Sequence, residues 1–291
     1  MPLKIALTGA NGQLGRTLQH SALSRDHELI ALDRTALDIS DESAVRRTLD
    51  ELRPDVLINA AAYTAVDRAE NDEEAARAAN ADGAKNLARW AAASDAWLLQ
   101  VSTDFVFNGR AGRPYTPDDQ PDPINLYGRS KLEGELHVRY LAPDNSLILR
   151  TGWVYSQYGG NFLSTMLRLM ASKEALTVVD DQIGTPSSTD GLVQCIEAAV
   201  ERRPTGILHW SDAGVASWYD FAVAIQDEAL RYGLLERRIP VTPIPASEYP
   251  TPARRPAFSV LDKSATRAVL GIDPKHWRRR LVGVLQAVQQ Q

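Results

Sequence analysis

Short apolar runs alternate with longer stretches of helical spacing along the first half of the chain. Five aliphatic-rich runs predict β-strands at residues 3–8, 28–32, 55–59, 96–101 and 146–150. Apolar positions recur with helical spacing between them, at residues 12–23, 42–52, 71–93 and 127–141. Strands separated by helices predict βαβ units with right-handed crossovers and a parallel sheet covered on both faces. We therefore expect an α/β fold with a Rossmann-type, doubly wound parallel sheet.

The pattern changes after residue 151. Helical stretches separated by proline-rich connectors follow, at residues 162–172, 190–202, 218–232 and 277–290. The proline-rich segment 240–256 is unsuited to a central strand, because proline cannot donate a ladder hydrogen bond. We expect a first domain at residues 1–150 and a smaller lobe at 151–291, with some late segments returning to the first domain.

Composition, net charge and cysteine content limit the classes of protein to which this chain can belong. The chain has 291 residues, 44% hydrophobic and 24% charged, as in ordinary globular proteins. A net charge of −5 offers no general attraction to nucleic acid or anionic lipid, so we expect neither as a partner. The single cysteine, Cys195, excludes a disulfide framework within the chain and gives no metal-ligand spacing. Neither a bilayer-spanning run nor a signal-peptide pattern is present, which favours a cytoplasmic location.

A glycine-rich turn follows the first predicted strand and opens the first predicted helix. Its glycines stand at positions 9, 12 and 15. Such glycines permit a tight turn, a close approach of backbone to a pyrophosphate, and close packing of helix on strand. Alone, the spacing also suits a purely structural turn, but its context predicts a dinucleotide site. The expected cofactor contacts here are Gly9, Asn11, Gly12, Gln13 and Leu14.

The end of the second predicted strand carries residues suited to the adenosine half of that cofactor. An acid at Asp33 is typical of proteins that bind the ribose hydroxyls of NAD. Arg34 follows directly and is suited to the 2′-phosphate of NADP, so the sequence leaves NADH and NADPH both open. Asp38 and Ile39 could meet the adenine amino group and ring face. Equally, they could be a helix N-terminal acid and a core isoleucine.

Two residues in the predicted helix 127–141 can carry acid–base chemistry. Tyr127 and Lys131 are four residues apart and therefore share one helical face. A phenol has a pKa of about 10. A nearby ammonium and an oxidised nicotinamide would lower that pKa towards neutrality, and the lysine can also hold ribose hydroxyls.

Residues at the ends of the third and fourth strands add weight to that pair, whose spacing is common by chance. Thr103 and Asp104 lie just beyond the end of the fourth predicted strand, where functional groups of open α/β sheets gather. A hydroxyl there can bond a reacting carbonyl oxygen. Small residues at Ala60, Ala61 and Ala62 follow the third strand and leave room for the cofactor.

These motifs together resemble those of the extended short-chain dehydrogenases/reductases, and within them most closely the dTDP-4-dehydrorhamnose reductase family. The resemblance covers nearly the whole chain, and its combined motifs are far more specific than any single one. They lie in the glycine turn and at residues 59–67, 102–107, 127–131, 150–155, 181–186 and 255–262.

The resemblance implies reduction of the C4 keto group of dTDP-4-dehydro-L-rhamnose to dTDP-L-rhamnose, with NADPH or NADH as cofactor. It implies a catalytic set of Thr103, Tyr127 and Lys131, and a nucleotide-sugar-binding role for the second lobe. It also implies substrate contacts at Thr103, Asp104, Phe105, Trp153, Asn161 and Arg255. Core packing would explain Trp153 equally well, and a structural ion pair remains an alternative for Arg255.

The sequence also leaves two other functions open and allows a prediction about the oligomeric state. A reductase or epimerase of a related nucleotide sugar is the second hypothesis, and a non-catalytic NADP-binding regulatory subunit is the third. Some members of the family form metal-linked dimers through a glutamate on the first helix. The comparable position here is Thr17, so we expect no such metal and either a monomer or a homodimer.

Overall fold

The computed structural model describes residues 2–290. Met1 and Gln291, the outer ends of the two predicted domains, lie outside the described residues. The strands are β1 (Lys4–Thr8), β2 (Glu28–Leu32), β3 (Val56–Asn59), β4 (Trp97–Thr103), β5 (Ser146–Thr151), β6 (Val154–Tyr155), β7 (Leu176–Val179), β8 (Ile183–Gly184), β9 (Ser187–Ser188), β10 (Gly206–His209), β11 (Ala216–Ser217) and β12 (Val241–Ile244).

The helices alternate with these strands through most of the chain. They are α1 (Gln13–Gln19), α2 (Ala22–Asp26), α3 (Glu42–Leu52), α4 (Val66–Ala69), α5 (Glu73–Arg77), α6 (Gly83–Ser94), α7 (Leu126–Leu141), α8 (Phe162–Ser172), α9 (Thr189–Arg202), α10 (Trp218–Arg231), α11 (Ser264–Leu270) and α12 (Trp277–Gln289). A π-helical turn at Ala78–Asp82 joins α5 to α6, and 3₁₀ turns occupy Asp104–Val106 and Ala246–Glu248.

Two predicted helices differ from the structure in detail. The stretch 12–23 forms two helices, because the Ser21 side chain accepts a hydrogen bond from the Leu23 N–H and starts α2. The stretch 71–93 begins at Glu73 and contains the π-helical turn, which spacing alone did not indicate. The other helices of the first half begin and end within a residue of their predicted bounds.

The central sheet confirms the predicted α/β fold. Its strand order is β10-β5-β4-β3-β1-β2, and all five adjacent pairs are parallel. The chain moves outward from β1 to β2 and then returns to place β3 on the other side of β1. That reversal opens a crevice beyond the carboxyl ends of β1 and β3, which is where ligands bind in doubly wound sheets.

Both faces of this sheet are buried, as expected for parallel strands covered by helices. Side chains alternate along β1, so that Ile5 and Leu7 join one core and Ala6 joins the other. The first core also takes residues of α1 and α9, and the second takes residues of α3 and α6. The glycine turn thus follows a strand that is packed into both cores.

A second lobe follows β5 and has a core of its own. Phe221 is fully buried at its centre, against Tyr155, Phe162 and Trp277. The proline-rich segment does contain a strand, β12, but it pairs only with β7 in a two-stranded sheet that includes Pro243. β10 instead joins the edge of the main sheet beside β5. The division at residue 150 stays a prediction.

Residues 2–290 include no helix with both the length and the apolar character needed to cross a membrane. Over the same residues, the structure shows no group of three or more His, Cys, Asp or Glu side chains placed to hold a metal ion.

The last residue of β10, His209, is fully buried at the carboxyl end of the sheet. Its Nδ1 lies 3.0 Å from the Tyr115 carbonyl oxygen and its Nε2 lies 3.5 Å from Nη1 of Arg150. A carbonyl only accepts, so Nδ1 carries the hydrogen and Nε2 accepts from the guanidinium. Burial and the charge of Arg150 lower the pKa of His209 to about 3.

We expect His209 to make the fold less stable as the pH falls. Its pKa in the folded protein, about 3, lies below the value of about 6.5 in an unfolded chain. The unfolded chain therefore takes up a proton first, and each pH unit below about 6.5 costs up to about 1.4 kcal/mol of unfolding free energy. Denaturant unfolding over a pH series measures this slope.

His209→Gln removes the titrating group and should flatten that slope while lowering stability at neutral pH. The matched control is His20→Gln, because the His20 ring already faces solvent, and it should keep the wild-type slope. An unchanged slope in the His209 variant would contradict the assignment.

Candidate active site

The glycine turn lies at the crevice between β1 and β3. Gly9 has a φ of +72°, and a Cβ there would lie 2.5 Å from the backbone nitrogen of Ala61. A Cβ on Gly15 would lie 2.3 Å from the carbonyl oxygen of Gly9. These glycines therefore allow the turn, the segment after β3 and the first turn of α1 to pack together, as predicted for a phosphate-binding turn.

The turn fits the pyrophosphate of a dinucleotide. Gly12 is the N-cap residue of α1, and within residues 2–290 no side chain caps this helix start. Gln13 and Leu14 supply the first helical N–H groups, and Asn11 and Gly12 are exposed. Uncapped N–H groups at a helix start favour an anion.

The side chains after β2 make a polar turn beside the glycines. Oδ1 of Asp33 accepts from the N–H groups of Thr35 and Ala36, and its Oδ2 accepts from Nδ2 of Asn11 at 3.0 Å. Hydrogen bonds from Thr35 and Ala36 hold the pKa of Asp33 below its usual range. An ionised carboxylate thus stands where the sequence predicts contact with the ribose.

Arg34 and Ile39 occupy different environments in this turn. The Arg34 side chain is 87% exposed and its Nε lies 3.3 Å from Oδ2 of Asp38. That guanidinium is exposed but already pairs with a carboxylate of the same turn. Ile39 is buried, and a Cβ on Gly83 would lie 2.6 Å from its Cδ1. The structure places Ile39 in the core, which was one of its two predicted roles.

Tyr127 and Lys131 lie in the first half of α7, against the end of β4. The N-cap residue Asn125 accepts from the Gly128 N–H at 2.7 Å and fixes where the helix starts. A Cβ on Gly128 would lie 2.2 Å from the carbonyl oxygen of Phe105. Glycine at this position therefore allows the helix to lie directly on the residues that follow Thr103.

Burial acts in opposite directions on the two groups. It raises the pKa of Tyr127 to about 12, an effect only partly offset by the Thr103 hydroxyl. It lowers the pKa of Lys131 to about 8, and the Glu135 carboxylate opposes that shift. The sequence led us to expect a lowered tyrosine pKa. That expectation included the effect of an oxidised nicotinamide. Among the protein's own groups, desolvation of the phenol has the largest effect and raises its pKa.

Thr103 and Asp104 follow at the end of β4. The Thr103 hydroxyl lies 3.1 Å from Oδ1 of Asp104 and accepts from the Phe105 N–H at 3.1 Å. Asp104 is buried, and desolvation raises its pKa to about 6. Its Oδ2 has no hydrogen-bond partner among the described residues. A Cβ on Gly152 would lie 2.4 Å from the Asp104 carboxyl carbon, so this glycine makes room for the acid.

Trp153 belongs to an aromatic stack in the second lobe. It has a φ of +52°, and its ring lies parallel to that of Trp218 with the centroids 3.4 Å apart. Phe162 packs on the other ring of the pair, with its centroid 4.7 Å from that of Trp218. A Cβ on Gly184 would lie 2.4 Å from the Trp153 indole. Trp153 is partly exposed rather than a core residue.

The remaining predicted substrate residues lie where the two lobes meet. Asn161 caps α8, and its Nδ2 donates to Oε1 of Gln13 in the glycine turn at 2.9 Å. Arg255 donates to both carboxylate oxygens of Asp67, through Nη1 at 3.1 Å and Nη2 at 2.8 Å. The ion pair considered as an alternative for Arg255 is thus present, and it joins the second lobe to the segment after β3.

Several residues of the site were not singled out from the sequence. Gly128 and Gly152 act by leaving space for neighbours that are distant in sequence. Trp218 starts α10, so helical periodicity explained it without reference to Trp153. Glu135 was also not singled out, although its spacing of one helical turn from Lys131 could have indicated it.

Comparison with known proteins identifies the family. The model of the RmlD substrate binding domain matches residues 3–290. The dTDP-4-dehydrorhamnose reductase of Aggregatibacter actinomycetemcomitans is 41% identical over 288 residues, which cover 97% of this chain and 98% of the relative.

Two solved structures agree with that match. The dTDP-4-dehydrorhamnose reductase of Bacillus anthracis in complex with NADP has a TM-score of 0.93 and 35% identity, covering 99% of this chain and 100% of the other. The ortholog from Clostridium acetobutylicum has a TM-score of 0.92 and 40% identity with the same coverage. These findings confirm the predicted resemblance. The chain belongs to the RmlD substrate-binding-domain family, the family of the dTDP-4-dehydrorhamnose reductases.

Proposed function

We propose that this protein reduces the C4 keto group of dTDP-4-dehydro-L-rhamnose to give dTDP-L-rhamnose, using NADPH or NADH. The observation that carries the proposal is the convergence of Thr103, Tyr127 and Lys131 at the carboxyl end of β4, beside the glycine turn. Relatives named for this reaction cover the chain nearly end to end.

The cofactor is held by the glycine turn, by Ala60, Ala61 and Ala62 after β3, and by Lys131. These are small or backbone contacts on one side of the crevice, and Asp33 and Arg34 reach the adenosine end. When bound, the nicotinamide supplies the hydride that reduces the sugar carbonyl carbon. The alanines after β3 form the cofactor side of the crevice, and the opposite side remains available to the sugar.

Tyr127 is the general acid of the reaction. Reduction of a ketone leaves an alkoxide, and the phenol of Tyr127 donates the proton that neutralises it. A pKa of about 12 keeps this phenol protonated throughout the neutral range. The acid is therefore ready in the direction of reduction, and its buried position strengthens a hydrogen bond to the developing alkoxide.

Thr103 and Lys131 support that proton transfer. The Thr103 hydroxyl holds the carbonyl oxygen beside Tyr127, which aligns the acceptor with the proton it will receive. The Lys131 ammonium stabilises negative charge on the phenolate after transfer, because a nearby cation favours the charged form of a phenol. Asp104, with its pKa of about 6, is largely ionised at neutral pH and offers an acceptor to a sugar hydroxyl.

The second lobe is proposed to hold the nucleotide sugar. Phe105 and the exposed part of Trp153 provide apolar surface for the sugar ring. Asn161 stands at the mouth between the lobes, and Arg255 presents a guanidinium suited to a diphosphate. Because Arg255 already pairs with Asp67, a bound diphosphate either shares that guanidinium or displaces the carboxylate.

We further propose that the enzyme acts in the cytoplasm, as a monomer or homodimer without a metal between subunits. The Thr17 hydroxyl donates to the carbonyl oxygen of Gln13 at 2.9 Å and lies 2.8 Å from the Thr189 hydroxyl. This neutral, already bonded group is a poor replacement for the carboxylates that hard divalent cations prefer.

The direct test is a substrate assay with purified protein. We expect stoichiometric oxidation of NADPH or NADH when dTDP-6-deoxy-L-lyxo-4-hexulose is supplied, with dTDP-L-rhamnose as the product. A UDP-linked 4-keto sugar serves as the comparison substrate. Absence of turnover with both cofactors refutes the proposal, and sugar inversion without net cofactor consumption identifies an epimerase instead.

Replacement of the acid should separate chemistry from binding. Tyr127→Phe is expected to lower kcat by about 10²- to 10⁴-fold, the usual contribution of a general acid, while cofactor affinity changes little. Tyr140→Phe is the matched control, since Tyr140 lies on the same helix and is 84% exposed. Steady-state kinetics and a fluorescence titration with NADPH measure the two effects. A near-normal kcat in Tyr127→Phe removes this residue from the acid role.

Cofactor preference should respond to the two residues after β2. Asp33→Asn removes a negative charge near the 2′ position and is expected to raise the NADPH/NADH ratio of kcat/KM by about tenfold, equivalent to about 1.4 kcal/mol. Arg34→Ala should lower the same ratio. Arg46→Ala is the control, because Arg46 forms a similar exposed pair with Asp50 on α3. Identical ratios in all variants would place the 2′ position elsewhere.

A further inference from the structure

A buried carboxylate, Glu135, lies one helical turn beyond Lys131 and is only 1% exposed. Its Oε1 accepts from the Ser102 hydroxyl at 2.5 Å and from Nε of Arg150 at 2.9 Å. Its Oε2 accepts from Nη2 of Arg150 at 2.6 Å. This bidentate pair with Arg150, itself 1% exposed, ties α7 to β5.

Lys131 and Glu135 attach α7 to consecutive residues of β4. The Lys131 ammonium donates to the Val101 carbonyl oxygen at 2.8 Å, and Glu135 accepts from Ser102. The next residue of the strand is Thr103. These two bonds therefore fix the position of the helix that carries Tyr127 relative to the strand that carries the hydroxyl.

The opposite side of the helix is also fixed. A Cβ on Gly134 would lie 2.2 Å from the carbonyl oxygen of Asn80 in the π-helical turn, so backbone packs on backbone there. Asn80 in turn donates to the Ser130 hydroxyl at 3.0 Å. α7 is therefore held by close contacts on two sides.

Glu135 also supplies negative charge beside the lysine. Seven elements pack closely against α7, and β4 is the one among them without a charged residue. The charged residues of the other six are Asp67, Arg68, Glu73, Glu74, Arg77, Asp82, Lys85, Arg89, Asp104 and Arg150. Of the charges surrounding Lys131, the Glu135 carboxylate is the one that raises its pKa against the effect of burial. Arg150 is a fixed cation in the same buried network, and His209 beside it stays neutral.

We propose that Glu135 is a positioning residue of the reductase, which holds Lys131 in register with Thr103 and keeps its ammonium charged at neutral pH. The proposal rests on the function proposed above. It assigns Glu135 a task distinct from that of the catalytic residues, since both oxygens of this buried carboxylate already bond Ser102 and Arg150.

The first test is Glu135→Gln, which removes the charge and keeps the shape. The lysine loses its charged form as pH rises through its pKa of about 8, so the alkaline limb of kcat lies there. Without the carboxylate that pKa falls further. We expect the alkaline limb to move to lower pH by about one unit. The charged fraction of Lys131 at pH 7 then falls from about nine-tenths to about half, so kcat at that pH should drop about twofold while KM for the sugar changes little.

The matched control is Glu133→Gln. Glu133 lies on the same helix and pairs with Arg77 through Nη2 at 2.7 Å, but its side chain is 36% exposed. Its loss should leave the pH profile unchanged. A second readout is independent of turnover: NMR titration of the Lys131 Nζ in cofactor-free protein should show the same shift in the Glu135 variant and none in the Glu133 variant.

Two further variants separate positioning from folding. Glu135→Gln leaves Arg150 buried without its partner, which is destabilising, whereas Glu135→Gln combined with Arg150→Met removes both charges. We expect the double variant to regain stability and to keep the shifted alkaline limb. If it recovers wild-type kcat and pH profile, Glu135 merely neutralises Arg150 and the proposal is overturned.

If the Glu135→Gln variants do not fold, two conservative variants test the proposal instead. Glu135→Asp keeps the charge and should keep the wild-type limb with a lower kcat, and Ser102→Ala should lower kcat without moving the limb. Wild-type kcat in both variants overturns the proposal, as does a limb in Glu135→Asp that moves. Wild-type protein is assayed alongside the variants. If the wild-type protein is inactive, the proposed reaction is refuted, whereas the role of Glu135 is judged from the NMR titration of Lys131.

Discussion

The attachment of α7 to the carboxyl end of β4 is the contact on which the rest of the site depends. Gly128 lets the helix start directly on the carbonyl oxygen of Phe105, and Lys131 bonds the carbonyl oxygen of Val101. Thr103 lies between these two contacts. The helix that carries the acid and the lysine is therefore positioned by the close approach of backbone to backbone, and the Thr103 hydroxyl lies near enough to Tyr127 to act on its pKa.

Two connections between the lobes complete the crevice around that helix. Gln13 links the glycine turn to Asn161, which caps α8, and Asp67 links the segment after β3 to Arg255. Each connection joins a segment of the first domain to a residue of the second lobe. If the cofactor and the sugar bind as proposed, the side chains that contact them would also contact each other, as a reaction between two bound molecules requires.

Burial also explains the charge states of the site. It disfavours the charged form of each group, and so raises the pKa of Tyr127 and Asp104 and lowers that of Lys131. Reduction needs a protonated acid, and a phenol with a raised pKa meets that need. The same environment requires a counter-charge if the lysine is to stay cationic, and Glu135 stands one turn away to provide it.

The sequence by itself determined the sheet class, the glycine turn and the Tyr127–Lys131 pair, because these depend on periodicity and short spacings that local physics dictates. Only the tertiary structure decided which way burial shifts each pKa, that β10 returns to the sheet edge, and that Arg255 pairs with Asp67. Such features depend on contacts between segments far apart in the chain, and local sequence patterns do not predict those contacts. Gly128 shows the difference, since its need for a missing Cβ appears only once Phe105 lies against it.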